Sequence, residues 1–274
     1  MLGRKAVKMS LFNRSQTRRV SKAGSKLSYQ VAYCQGAGAR EYQEDSFGLS
    51  DYRDVAEIQE KGLFAVLADG MGGMDDGKAV SQAAVSLCLE AFASVISDIP
   101  QRFTDGVHAI NDSVYRNFNG RGGTTLVIAK IYDERLWWLS VGDSALYLKR
   151  GGQVFQLNKE HDCLNQLYLK ELFSGGVINK ERAENDEDAK RLSEFIGSDG
   201  VSETDCSLAP LKLEHGDALL ICSDGVSDFI GDVAISTALD RSPSQACVGI
   251  EQSVRALGRP DQDNYTAIMI RCAK

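Results

Sequence analysis

Six acidic residues recur in one kind of setting. Glu44 and Asp45 lie in REYQED, Asp69 in LADGMGG, Asp143 in SVGDSA, Asp224 in CSDGVSD and Asp263 in DQDNYT. Most stand where an extended apolar run begins or ends, beside a glycine or a small or amide residue. Asp69 shows the pattern most plainly, because the run LFAVLA ends in it and a glycine-rich break follows. A lone Asp-Gly is a turn signal, but a repeated setting asks for more. Two bare charges about 4 Å apart repel by about 4 kcal/mol at an effective dielectric near 20. The acids are therefore either spread around a rim or held together by divalent cations, and spacing leaves both arrangements open. If they converge, the donors are all oxygen, which suits Mg²⁺ or Mn²⁺ better than zinc or copper. One carboxylate can bridge two ions about 3.5–4 Å apart and so build a two-metal hydrolytic centre. Asp69 is the candidate bridge. Gly70 after it lets the backbone turn sharply enough for a main-chain carbonyl to face a metal as well.

The elements that would position these acids can be read from periodicity. KLSYQVAYCQG and residues 63–68 read as strands, with regular structure starting near Lys26. GKAVSQAAVSLCLEAFASVIS repeats apolar residues at the 3-1-3-1 spacing of one helical face. A second helix is expected from Asp105 to Phe118, capped by Thr104. TTLVIAKIY, RLWWLSVG, ALYLKR and QVFQL are β-rich runs separated at Asp133-Glu134, Gly142-Asp143 and Gly151-Gly152, which reads as an antiparallel meander. Within it Trp137 and Trp138 are adjacent, so one points to the core and the other to a sheet face. Residues 161–196 are polar and mostly helical, with a turn at Ser174–Gly176, and look like an excursion from the sheet. The acidic run ENDEDAK in this excursion reads as a solvated helix face, and His161 before it as a structural residue. DALLICSDGVSDF repeats the pattern of strand, carboxylate and glycine. Ser242, Pro243 and Gln245 form a capping-box helix start, and Gly258 and Pro260 stop that helix. DNYTAIMIRC closes the chain as a strand. The sum is an α+β protein with a mostly antiparallel sheet system.

The 274 residues are 43% hydrophobic and 25% charged, enough for a sizeable core without disulfides. The seven cysteines are odd in number and form no Cys-x-x-Cys pair, so they read as reduced thiols of a cytoplasmic protein. Three scattered histidines offer no zinc-ligand spacing. No apolar run is long enough to span a membrane. The first 28 residues hold eight Lys/Arg and no acid, leaving 23 basic against 38 acidic residues and a charge of −15 on the remainder. The acidic body argues against nucleic-acid binding. The expected layout is a basic, disordered arm over residues 1–27 and a single domain over 28–274. DGMGG lacks the G-x-G-x-x-G spacing of a dinucleotide-binding turn.

Taken in order, AREYQEDSFG, LADGMGG, GGTTLVIA, VGDSALYL, LNKEHD, LLICSDGVSD and DNYTAIMI resemble the metal-dependent protein phosphatases of the protein phosphatase 2C (PPM) family, over roughly residues 30–272. Met71 in DGMGG is similar to the bacterial branch. The resemblance implies a four-layer α/β/β/α sandwich, two central antiparallel sheets flanked by helices. It implies hydrolysis of phosphoserine and phosphothreonine in proteins by water activated between two Mn²⁺ or Mg²⁺ ions, with no covalent phosphoenzyme. By motif position Asp69 would bridge the two ions, with the Gly70 carbonyl on one of them. Asp224 and Asp263 would complete one ion, Glu44 would serve the other, and Asp45 would orient ligand water. Asp143 resembles the residue for a third ion, shared with Asp224. Arg40 matches the arginine that clamps the substrate phosphate, and residues 161–196 match the variable flap. A cognate Ser/Thr kinase follows as a partner by the same analogy, and a monomer is the expected state.

The chain also departs from the family pattern. Met71 stands near a position where eukaryotic members often carry a histidine, Ala145 replaces the arginine of Gly-Asp-Ser-Arg, and LNKEHD differs from Thr-x-Asp-His-Ser. These departures keep a second reading in view, a catalytically weak phosphoprotein-binding or regulatory domain on the same fold.

Overall fold

The computed structural model describes residues 20–21, 27–71, 76–174, 180–186, 188–189 and 191–274. Most of the basic arm, Gly72 and Gly73 of the glycine-rich break and most of the turn expected at 174–176 lie outside the described residues.

In chain order, β1 (Val20–Ser21) pairs with β2 (Ser28–Gly36), and β3 (Ser46–Leu49) and α1 (Val55–Lys61) follow. Next come β4 (Leu63–Ala68), α2 (Gly77–Phe92) and α3 (Ile99–Phe118). The middle holds β5 (Leu126–Tyr132), β6 (Arg135–Val141), β7 (Ala145–Arg150) and β8 (Gln153–Gln156). After α4 (Leu164–Phe173) and α5 (Lys180–Glu184) come β9 (Asp205–Cys206), β10 (Leu211–Lys212) and β11 (Ala218–Cys222). The chain ends with α6 (Asp224–Asp240), α7 (Pro243–Leu257) and β12 (Tyr265–Ala273). One sheet runs β1-β2-β12-β11-β7-β8 and the other β10-β6-β5-β4-β3, with β9 also on β6; every pair is antiparallel.

Strand alternation divides the interior into three layers of core. In β4, Leu63, Ala65 and Leu67 meet Val127, Ile131, Leu219 and Ile268 between the two sheets. The opposite face of β4, Phe64, Val66 and Ala68, packs on Val80, Ala84, Phe103 and Val107 of α2 and α3. On the far sheet, Ala32, Leu220, Cys222 and Met269 pack on Val226, Ile235, Ile250 and Val254 of α6 and α7. That is the four-layer α/β/β/α sandwich, and it explains why β4 is apolar on both faces.

Several local expectations are corrected. Among the described residues regular structure begins at Val20, ahead of Lys26, because Val20 and Ser21 pair with Tyr29 and Ser28. α3 starts at Ile99 instead of Asp105, since Pro100 suits a first helical turn. Thr104 is therefore inside the helix, its hydroxyl on the Pro100 carbonyl at 3.0 Å. α2 ends at Phe92, where the ring turns in to meet Phe103 edge-on at 5.1 Å. The meander is broken: β5 and β6 form a hairpin through Asp133 and Glu134, both at positive φ, but β6 and β7 lie in different sheets. Gly142, at φ 99°, is where the chain changes sheet. α6 was not expected from the sequence, and it follows directly on β11 with a break at Gly231. α5 closes at Glu184, so the described residues of the acidic run beyond it, 185–186 and 188–189, are turn and bend, not helix face. Ser242 is the N-cap residue of α7, yet its hydroxyl bonds the Gln245 side chain at 2.8 Å and caps no backbone amide. Trp137 and Trp138 do face opposite ways, each half-buried against a different core.

One buried charge bears on stability. Lys130 is fully buried, with Nζ 2.6 Å from the Ala93 carbonyl beyond the end of α2. Burial pulls its pKa from the usual 10.5 down to about 8. Between those values the unfolded chain binds more protons than the folded one, so this residue's penalty is full below pH 8 and fades as pH rises. Unfolding free energies of wild type and Lys130→Met, measured at pH 7 and pH 10, should shift in favour of wild type at the higher pH by about 2–3 kcal/mol. A pH-independent difference would contradict the buried charge.

Candidate metal centre

The acids singled out in the sequence sit on the loops at one end of both sheets. Asp69 follows β4, Asp45 precedes β3, Asp143 links β6 to β7, Asp224 opens α6 after β11, and Asp263 precedes β12. Asp69 is anchored through its backbone: its N–H donates to Thr125 Oγ1 at 3.0 Å, and its carbonyl accepts from Thr124 Oγ1 and the Thr125 N–H. Gly70 bridges to Thr124, and Met71 N–H donates to the Gly123 carbonyl. A Cβ at Gly70 would stand 2.6 Å from the carbonyl oxygens of both Glu44 and Gly77, so only glycine allows this backbone approach.

Asp45 is buried, and its Oδ2 accepts from Thr266 Oγ1 at 2.7 Å and Ser223 Oγ at 2.9 Å. Its Oδ1 is buried with no donor facing it. The Asp69 carboxyl lies within hydrogen-bonding reach of both Asp45 and Asp224. Two carboxyls can share a hydrogen bond only if one of them keeps a proton. Accordingly Asp69 is held well above the usual carboxylate range, first by burial and then by the charges of Asp45, Asp224 and Asp143. Burial lifts Asp45 to about 6, against hydrogen bonds from Thr266, Asp69 and Ser223 that favour its charge. Burial, with Asp224, Glu160 and Asp228 nearby, lifts Asp143 to about 8. Asp224 is also raised by burial, partly offset by its hydrogen bond with Asp69.

Glu44 and Asp263 stand at the open side, both half-buried. Burial raises Glu44, Arg40 pulls it back and Asp263 pushes it up again. Arg40 Nη2 lies 2.8 Å from Asp263 Oδ2 in an exposed ion pair. The structure thus brings together Arg40 and all six acids. Among the described residues, no three acidic, histidine or cysteine side chains form a ready-made ion-holding group; the central carboxyls pair with one another instead. The residues nonetheless fit divalent cations: the donors are all oxygen, several carboxyls crowd one place, and one buried carboxylate oxygen has no donor.

Sequence reasoning missed the residues that hold the acids. Ser223, Thr266 and Asn264 lie inside the quoted motifs next to or near an acid, and Thr125 in a motif that has none, but they carry no signal of what they bond. His161 is buried, and its Nδ1 accepts from the Gly142 N–H at 3.2 Å, which fixes the backbone beside Asp143. Ala145 is fully buried against Cys222 and its neighbours, so its departure is absorbed by packing.

Two antiparallel sheets packed face to face, helices outside, and oxygen donors gathered at one end define a metal-hydrolase class of fold and site. The chain belongs to the protein phosphatase 2C family, whose model matches residues 38–261. It is 26% identical over 242 residues to the serine/threonine phosphatase Stp of Listeria welshimeri, covering 84% of this chain and 90% of that one. PppA, a regulatory component of the type VI secretion system in Pseudomonas aeruginosa, superposes with a TM-score of 0.70 at 25% identity, covering 93% of this chain and all of PppA. The catalytic domain of the phosphatase PstP in complex with two manganese ions superposes with a TM-score of 0.68 at 23% identity, over 91% of this chain and all of that domain. Among the described residues no helix is long and apolar enough to cross a membrane.

Proposed function

We propose that this chain is a metal-dependent protein serine/threonine phosphatase, with residues 28–274 acting as one domain. The observation that carries the reading is the cluster of Asp45, Asp69, Asp143 and Asp224 within a chain of this family: carboxyls crowded against their own repulsion are a site built for cations. Two Mn²⁺ or Mg²⁺ ions, when bound, supply an activated water at neutral pH and positive charge for phosphoryl oxygens. Asp69 would be the ligand common to both, with the Gly70 carbonyl beside it, while Asp224 and Asp263 would help hold one ion and Glu44 the other. Asp143, sharing with Asp224, would take a third. Asp45, fixed by Ser223 and Thr266, keeps one carboxylate oxygen free to orient water. Arg40 offers a guanidinium fork to two phosphate oxygens. Its exposed pair with Asp263 is worth about 0–1 kcal/mol, so a phosphate dianion can displace it. Phosphorylated proteins are the substrates, a Ser/Thr kinase the natural opposing partner, the cytoplasm the compartment and a monomer the working form.

A phosphothreonine peptide with Mn²⁺ should release phosphate, and EDTA or Asp224→Asn should each stop it. Release that persists in EDTA would overturn the reading. Calorimetry showing no Mn²⁺ binding at micromolar levels, with phosphopeptide binding retained, would make the chain a phosphoprotein-binding domain instead.

A further inference from the structure

Asn264 follows Asp263, is only 4% exposed, and has no part in the chemistry described so far. Its side-chain amide nevertheless reaches the opposite loop three times. Nδ2 donates to the Ala37 carbonyl at 3.0 Å and the Tyr42 carbonyl at 2.9 Å, while Oδ1 accepts from the Glu44 N–H at 2.7 Å. Those three contacts span residues 37–44, with Arg40 in the middle and Glu44 at the end. The Asn264 N–H donates to Asp263 Oδ1 at 2.8 Å and so fixes that carboxylate. The Asn264 carbonyl lies against Gly225, where a Cβ would overlap it, one residue beyond Asp224. A Cβ at Gly38 would likewise overlap the Asp263 carbonyl, and Ala39 N–H donates to the Gln262 carbonyl at 2.8 Å.

One buried residue therefore touches the loop that carries Arg40 and Glu44 through its side chain, and Asp263 and the glycine after Asp224 through its backbone. We infer that Asn264 is a positioning residue: it sets the phosphate-clamping loop in register with the proposed ion ligands, and this rests on the phosphatase reading above. The chemistry of the contacts explains the residue type. A planar amide of this length offers two donors and an acceptor from one group. Aspartate would keep the bond to Glu44 N–H but turn two donors into acceptors facing carbonyls, and alanine would leave the Tyr42 carbonyl and the Glu44 N–H without these bonds, the Ala37 carbonyl keeping only the Arg40 N–H.

The test is a double-mutant cycle between Asn264→Ala and Arg40→Ala, with Asn111→Ala as the control. Asn111 is a buried asparagine that ties the Gly197–Ser198 turn to α3 through two hydrogen bonds. Asn264→Ala should lower kcat/KM for a phosphothreonine peptide by about 10²-fold, chiefly through KM, since small misplacement of a binding group carries that cost. Its Mn²⁺ Kd, measured by calorimetry, should rise about 10-fold, as for other residues that orient metal ligands. Arg40→Ala should then cost several-fold less in the Asn264→Ala background than in wild type. Asn111→Ala should lower the melting temperature but leave KM and the Mn²⁺ Kd within about threefold. If Asn264→Ala does not fold, Asn264→Asp, which keeps the Glu44 contact, enters the same cycle with the same expected non-additivity. Full additivity with Arg40→Ala, together with unchanged KM and Mn²⁺ Kd, would overturn the inference. Absence of Mn²⁺-dependent release by wild type would instead defeat the phosphatase reading.

Discussion

Asp69→Asn should lower Mn²⁺-dependent phosphopeptide turnover by at least about 10³-fold and, in EDTA, raise the melting temperature by several degrees. Both effects come from one carboxylate. Asp69 is the member of the cluster buried against the charges of Asp45, Asp224 and Asp143, and in the proposal above it would serve both ions. An amide keeps the shape but loses the charge and one acceptor, which removes most of its ability to hold a hard cation. In the metal-free protein the same carboxyl is buried among like charges and raises the free energy of the folded state. Folding at neutral pH must therefore crowd a charge there or hold a proton against the usual carboxylate range, and asparagine, neutral without a proton, removes that cost. A site residue that lowers stability in return for function is the expected trade-off. Turnover within tenfold of wild type would show that Asp69 does not hold the ions. An unchanged or lower melting temperature in EDTA would show that the carboxyls do not strain the metal-free fold.

Phe64→Ala should destabilise the protein by about 3–5 kcal/mol, a large part of the roughly 5–15 kcal/mol that holds a typical domain together. Phe64 is fully buried on the face of β4 that packs against α2 and α3, and the Lys130 ammonium lies 5.9 Å from its ring centre. Truncation leaves a cavity between sheet and helices and takes the ring away from a desolvated cation. Because β4 runs on to Asp69, the damage should reach function as well. Urea unfolding should show the lower midpoint, and Mn²⁺-dependent activity should survive in the cold but be lost at a temperature wild type tolerates. A loss under about 1 kcal/mol would mean that the helix layer contributes little to holding this strand.

What could be read from the chain follows from the range of each signal. Alternation and helical periodicity act over a few residues, so β2, β4, β5, β11, β12 and α7 were legible. Their ends were less so: Thr104 resembled a cap, but the proline four residues earlier had already begun α3. α6 was hidden because Asp224-Gly225 looks like a turn when the helix behind it is not in view. The break between β6 and β7 was hidden because a glycine that changes sheets looks like one that closes a hairpin.

The order and identity of the acidic motifs determined, without coordinates, the family and its class of chemistry, and singled out the acids proposed to serve it. Only the tertiary structure decided who touches whom. Asp45 takes its hydrogen bonds from residues 178 and 221 positions away, and the Glu44 N–H donates to one 220 away. No local pattern can encode contacts of that separation. They exist because two sheets, each indifferent to the other's sequence, bury their apolar faces together and so bring their loops to the same end.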